Sequence, residues 1–100
     1  MIRWMSLARI SAGKGIAAVA FAKEMAEFAK KYKGAPPVHV YADSFGEVGT
    51  IRWCADYDDL AALEKVGDEV MSDEAYLKKL EEDKDLFIEG SNYVVVMREI

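Results

Sequence analysis

The stretch Gly46 to Leu63, Gly-Glu-Val-Gly-Thr-Ile-Arg-Trp-Cys-Ala-Asp-Tyr-Asp-Asp-Leu-Ala-Ala-Leu, constrains the fold most strongly. A β-branched and aromatic run passes through an acidic corner into a helical repeat, so strand must turn into helix within a few residues. Asp56 to Asp59 provides the N-cap and first-turn carboxylates that the positive end of a helix dipole favours. Leu60, Leu63, Gly67 and Val70 then recur at helical spacing, and Ser72-Asp-Glu looks like a fresh N-cap, which predicts a break near Met71 and Ser72. A second segment follows with Tyr76, Leu77 and Leu80, ended by the charged run 78–85.

On the N-terminal side, residues 2–10 place apolar groups on both alternating faces, as in a strand buried on both sides. Ala18, Phe21, Met25, Phe28 and Tyr32 lie on one side of a helix predicted over about residues 14–33, with Gly34 as its stop. Pro36-Pro37 forbids helix and delivers the chain into a strand over 38–42, with Val38, Val40 and Ala42 on one face and His39 and Tyr41 on the other. Asp43 to Gly46 reads as a short hairpin turn into a strand over about 47–55, on which Ile51, Trp53 and Ala55 alternate with Thr50, Arg52 and Cys54. Residues 92–97 form the last strand.

The order is βαββαβ, which predicts an α+β ferredoxin-like domain over residues 1–100: a four-stranded antiparallel sheet with helices on one face. Strands one and four are too apolar on both sides to leave the other face in water. A second copy stacked sheet to sheet is therefore expected, closing a barrel with a cavity between the sheets. At 100 residues, association would also add to a modest core.

Composition narrows the partners. A net charge of −5, with Lys23, Lys30, Lys31 and Lys33 sharing their helix with Glu24 and Glu27, argues against nucleic acid. No apolar run is long enough to span a membrane. The single cysteine, Cys54, can form no internal disulfide or cysteine metal site and suits a reducing cytoplasm. It reads as a small buried residue before it reads as a nucleophile.

Gly13-Lys14-Gly15 at a strand-to-helix junction lacks the rest of a phosphate loop and reads as a tight turn. His39 is the only histidine and hence the one side chain with an unperturbed pKa suited to general-base work at neutral pH. With no second His and no paired Cys, neither a metal site nor a cofactor is expected. The aspartates 56, 58 and 59 read as caps rather than as an acid/base pair.

Four stretches together resemble a family: Gly13-Lys-Gly15, Phe45 to Trp53, Asp56 to Leu60 and Ser72 to Tyr76. They are similar to the dimeric α/β barrel superfamily, nearest to short stand-alone and NIPSNAP-like members, over nearly the whole chain. The resemblance implies the fold and a homodimer more than an activity, since the superfamily includes cofactor-free monooxygenases, isomerases, haem-binding enzymes and proteins of unknown role. Haem binding would need His39 as axial ligand. The monooxygenases use an Asn on the third strand and a Trp just after it. Those positions fall here at Trp53 and Tyr57, which match neither in type.

Two functional readings follow. One is a homodimeric binding protein whose aromatic cavity, lined by Trp53, Tyr57, His39 and Tyr41, holds a small apolar ligand. The other is a cofactor-free monooxygenase or isomerase for an aromatic or polyketide-like substrate, with His39 or Tyr41 assisting proton transfer.

Overall fold

A computed structural model describes all 100 residues. Strand β1 (Ile2–Arg9) is followed by helix α1 (Gly15–Phe28), strands β2 (His39–Ala42) and β3 (Thr50–Tyr57), helices α2 (Leu60–Met71) and α3 (Glu74–Glu82), and strand β4 (Tyr93–Arg98). The sheet order is β2-β3-β1-β4 with every pairing antiparallel. This is the ferredoxin-like arrangement that the βαββαβ order predicts.

Gly13, at φ +76°, turns the chain out of β1, and Ala18, Phe21, Ala22 and Met25 then bury one stripe of α1. The helix is shorter than expected. After Phe28 it tightens into one 3₁₀ turn over Ala29–Lys31 and becomes extended at Tyr32. Lys31 and the Tyr32 hydroxyl both reach the Asp73 carboxylate, at 2.6 and 2.7 Å, tying the end of the first helical segment to the start of α3.

The β2–β3 connection is longer than a four-residue turn. Two glycines with positive φ, Gly46 at +80° and Gly49 at +94°, carry it to Thr50. Strand β3 also runs further than expected, to Tyr57, because Ile2 and Arg3 of β1 still pair with Tyr57 and Asp56. Asp56 is therefore a strand residue joined to Arg3, and not a helix cap. Of the acidic corner only Asp59 caps α2, accepting from the Ala62 amide at 2.8 Å. The expected break lies between Met71 and Glu74: Ser72 donates to the Asp68 carbonyl, and Asp73 caps α3 by accepting from the Ala75 amide.

The core lies between sheet and helices. Ile2, Ser6 and Ala8 of β1 and Ile51 and Ala55 of β3 are buried on that side together with the α1 stripe and Val66 of α2. Trp53 is riveted into the same layer. Its indole N–H donates to the Ala22 carbonyl at 3.2 Å, and its ring meets Phe87 edge-on at 5.8 Å.

Candidate functional site

Alternation along the strands assigns every side chain of the sheet to one of two faces, and the registers carry that assignment across strands. Trp53 lies opposite Ser6 and Val40, and Tyr57 opposite Ile2; these side chains share the helix-covered face. His39 lies opposite Cys54, and Tyr41 opposite Arg52, on the face that no helix covers.

The four expected site residues therefore do not line one cavity. Trp53 and Tyr57 belong to the layer under the helices, where Trp53 has both its ring and its N–H engaged in packing. Tyr57 borders a shallow cleft of about 150 Å³ with Gly34, Pro36 and Ala62, and burial pushes its phenol pKa up. His39 and Tyr41 remain together on the opposite face. The sequence held the signal for this division: even a turn confined to 43–46 sets Ala42 opposite Glu47, which puts His39 and Tyr41 on the side of Arg52 and Cys54.

The uncovered face is a grid of cross-strand rows. One row runs His39, Cys54, Met5, Val95, and the next runs Tyr41, Arg52, Leu7, Tyr93. A third contains Asp56, Arg3 and Met97. The centre is already tightly packed, with Leu7 only 3% exposed, whereas Tyr41 and Tyr93 at the flanks are 54% and 56% exposed. Thr50 is buried on the same face, and its hydroxyl has no partner in the chain.

Two bidentate ion pairs occupy this face. Arg52 grips Asp43 at 2.8 and 3.0 Å, and Arg3 grips Asp56 at the same two distances. Their surroundings differ. The Arg52 and Asp43 side chains are 28% and 13% exposed, while those of Arg3 and Asp56 are 49% and 43% exposed, at the rim. The Arg52 guanidinium also directs Nη1 at the Met5 sulfur, 3.8 Å away. Hydrogen bonds from the arginines hold both carboxyls below the usual aspartate range, and burial pushes the Cys54 thiol up, away from thiolate character. No cluster of three or more His, Cys, Asp or Glu side chains is placed to hold a metal. No helix is long and apolar enough to cross a membrane.

A four-stranded antiparallel sheet in the order 2-3-1-4, carrying its helices on one side, defines the ferredoxin-like class. Solved structures of that class match the chain end to end. An uncharacterized NIPSNAP domain protein from Burkholderia xenovorans superposes with a TM-score of 0.82 at 15% identity, covering 100% of this chain and 95% of that one. A NIPSNAP family protein of unknown function from Agrobacterium tumefaciens gives 0.80 at 18% identity, covering 99% and 87%. A putative antibiotic biosynthesis monooxygenase from Deinococcus radiodurans gives 0.74 at 13% identity, covering 99% and 92%. The fold is thus the one that the residue resemblance implied. No family model and no curated protein matches the sequence.

Proposed function

We propose that the chain acts in the cytoplasm as a homodimer with the two uncovered sheet faces apposed, and that the space between them binds a small, mainly apolar ligand. The observation that carries this reading is the makeup of that face: an apolar centre flanked by Tyr41 and Tyr93, with Arg3 and Arg52 each paired to an aspartate within the chain. Arg3, Arg9 and Arg52 against Asp43, Asp56 and Glu47, which acts on the Arg52 guanidinium, leave that face near neutral, although the whole chain is at −5. Two copies meeting on this face avoid the repulsion that their acidic helices would cause. The strands, of 8, 4, 8 and 6 residues and about 4.8 Å apart, cover on the order of 400 Å², about half of the ~800 Å² per partner of a specific interface, so the flanking loops would supply the remainder.

His39 and Tyr41 are the ligand contacts that this reading assigns from β2. Trp53 and Tyr57 support the sheet from behind. In an apolar pocket, burial supplies most of the affinity and the few polar groups set orientation. The second reading, cofactor-free oxygenation or isomerisation of an aromatic or polyketide-like substrate, is favoured by His39 and Tyr41 lying two apart on this same face, where either could exchange a proton with a bound substrate. The likeness in fold to the monooxygenase-like neighbour is consistent with it.

The test is a thermal-shift screen of flat aromatic ligands against wild type, His39→Ala and Tyr41→Ala. Both residues lie on the apposed face, so the unliganded melting temperature of each variant is measured first, and each is expected to lose most of the ligand-induced shift relative to that value. Unchanged shifts in both variants would remove this face as the binding site. Oxygen-dependent turnover by wild type that His39→Ala abolishes would select the enzyme reading.

A further inference from the structure

Resting on the two-sheet reading above, we infer that Arg52 is the specificity-determining group of the cavity and selects an apolar ligand bearing a neutral carbonyl oxygen. A guanidinium has five N–H donors. In Arg52, Nε and one hydrogen of Nη2 are taken by Asp43, and one hydrogen of Nη1 faces the Met5 sulfur. The remaining two, one on each terminal nitrogen, make no hydrogen bond within the chain, and the side chain is 28% exposed to solvent.

Covering this face with a second sheet removes that solvent, and a buried donor left unpaired is costly. The rim pair of Arg3 and Asp56, at nearly twice the exposure or more, retains access to water. Arg52 does not. It sits in mid-row with Tyr41 on one side and Leu7 and then Tyr93 on the other, so a flat ligand lying between the tyrosines presents its edge to the free N–H groups. Its acceptor is neutral because Asp43 already compensates the guanidinium. A carboxylate brought here would meet a guanidinium already compensated by Asp43, with Glu47 close by and the unpaired Arg9 at the exposed end of β1.

Three ligands of similar shape separate the possibilities: 2-acetonaphthone, 2-ethylnaphthalene and 2-naphthoate, titrated calorimetrically into wild type and into Arg52→Met/Asp43→Leu. The double variant removes both charges together, so neither is left unpaired, and its sedimentation is measured alongside. For wild type the ketone is expected to bind at least tenfold tighter than the hydrocarbon and tighter than the naphthoate. In a dimeric double variant the ketone's advantage over the hydrocarbon is expected to fall below threefold. Equal binding of the three, tightest binding of naphthoate, survival of the ketone's advantage in the double variant, or a wild-type dimer that binds none of them would each overturn the carbonyl assignment. A monomeric wild type would instead overturn the two-sheet reading, and this inference with it.

Discussion

At the scale of single residues, position within the layers decides what each side chain is worth. Met25 is buried in the α1 stripe, and Met25→Ala is expected to cost about 2 to 5 kcal/mol by leaving a cavity under the helix. Phe28 belongs to the same stripe by spacing but is only half-buried, with the Lys31 ammonium 4.3 Å above its ring. Phe28→Ala should therefore cost less, about 1 to 2 kcal/mol, and urea midpoints that shift equally for the two would contradict this ranking. Asp73 concentrates more interactions than any other carboxylate. Hydrogen bonds from Lys31, then from Tyr32 and the Ala75 amide, hold its pKa down to about 2. A depressed folded-state pKa contributes stability that is complete above the ordinary aspartate value and is lost as pH falls from about 4 to about 2. Acid unfolding of Asp73→Asn followed by circular dichroism should show a smaller loss across that window than wild type, and an unchanged profile would count against the Lys31–Asp73–Tyr32 cluster.

At the scale of elements, most of the chain was legible because each segment has one dominant period. The two-faced apolar run of β1, the 3-4 spacing of α1, and the fresh N-cap at Ser72-Asp-Glu that divides α2 from α3 all appear in the structure. What local pattern does not contain is the partner that prolongs or shortens an element. Asp56 looks like part of a cap because three aspartates precede the helix, yet β1 is long enough to supply Arg3 opposite it, and the strand continues. The early end of α1 likewise coincides with contacts from Lys31 and Tyr32 to Asp73, about forty residues away in sequence. The distinction between capping and non-capping aspartates can be measured: Asp59→Ala should destabilise by about 1 kcal/mol in chemical denaturation, since it frees the Ala62 amide. Asp58→Ala, which removes no side-chain hydrogen bond, should be close to neutral.

At the scale of the whole molecule, the sheet divides the chain into a helix-packed side and a bare side, and the candidate site residues divide with it. Trp53 and His39 are conspicuous in the sequence for different reasons, a large aromatic and a lone imidazole, and conspicuousness says nothing about which face either occupies. Hairpin parity does, and it groups His39 and Tyr41 with Arg52, Cys54, Met5 and Tyr93. Two copies are expected to meet on this bare side. Sedimentation equilibrium of wild type, Val95→Arg and Ile16→Arg checks this: Val95 lies midway along the edge strand β4 on the bare face, next to Met5, whereas Ile16 is 92% exposed on α1, on the helix side. Twice the 11.2 kDa chain mass is expected for wild type and Ile16→Arg, and a shift toward the single-chain mass for Val95→Arg. A wild type at 11.2 kDa across the micromolar range, or a dimer that Ile16→Arg dissociates and Val95→Arg does not, would contradict it.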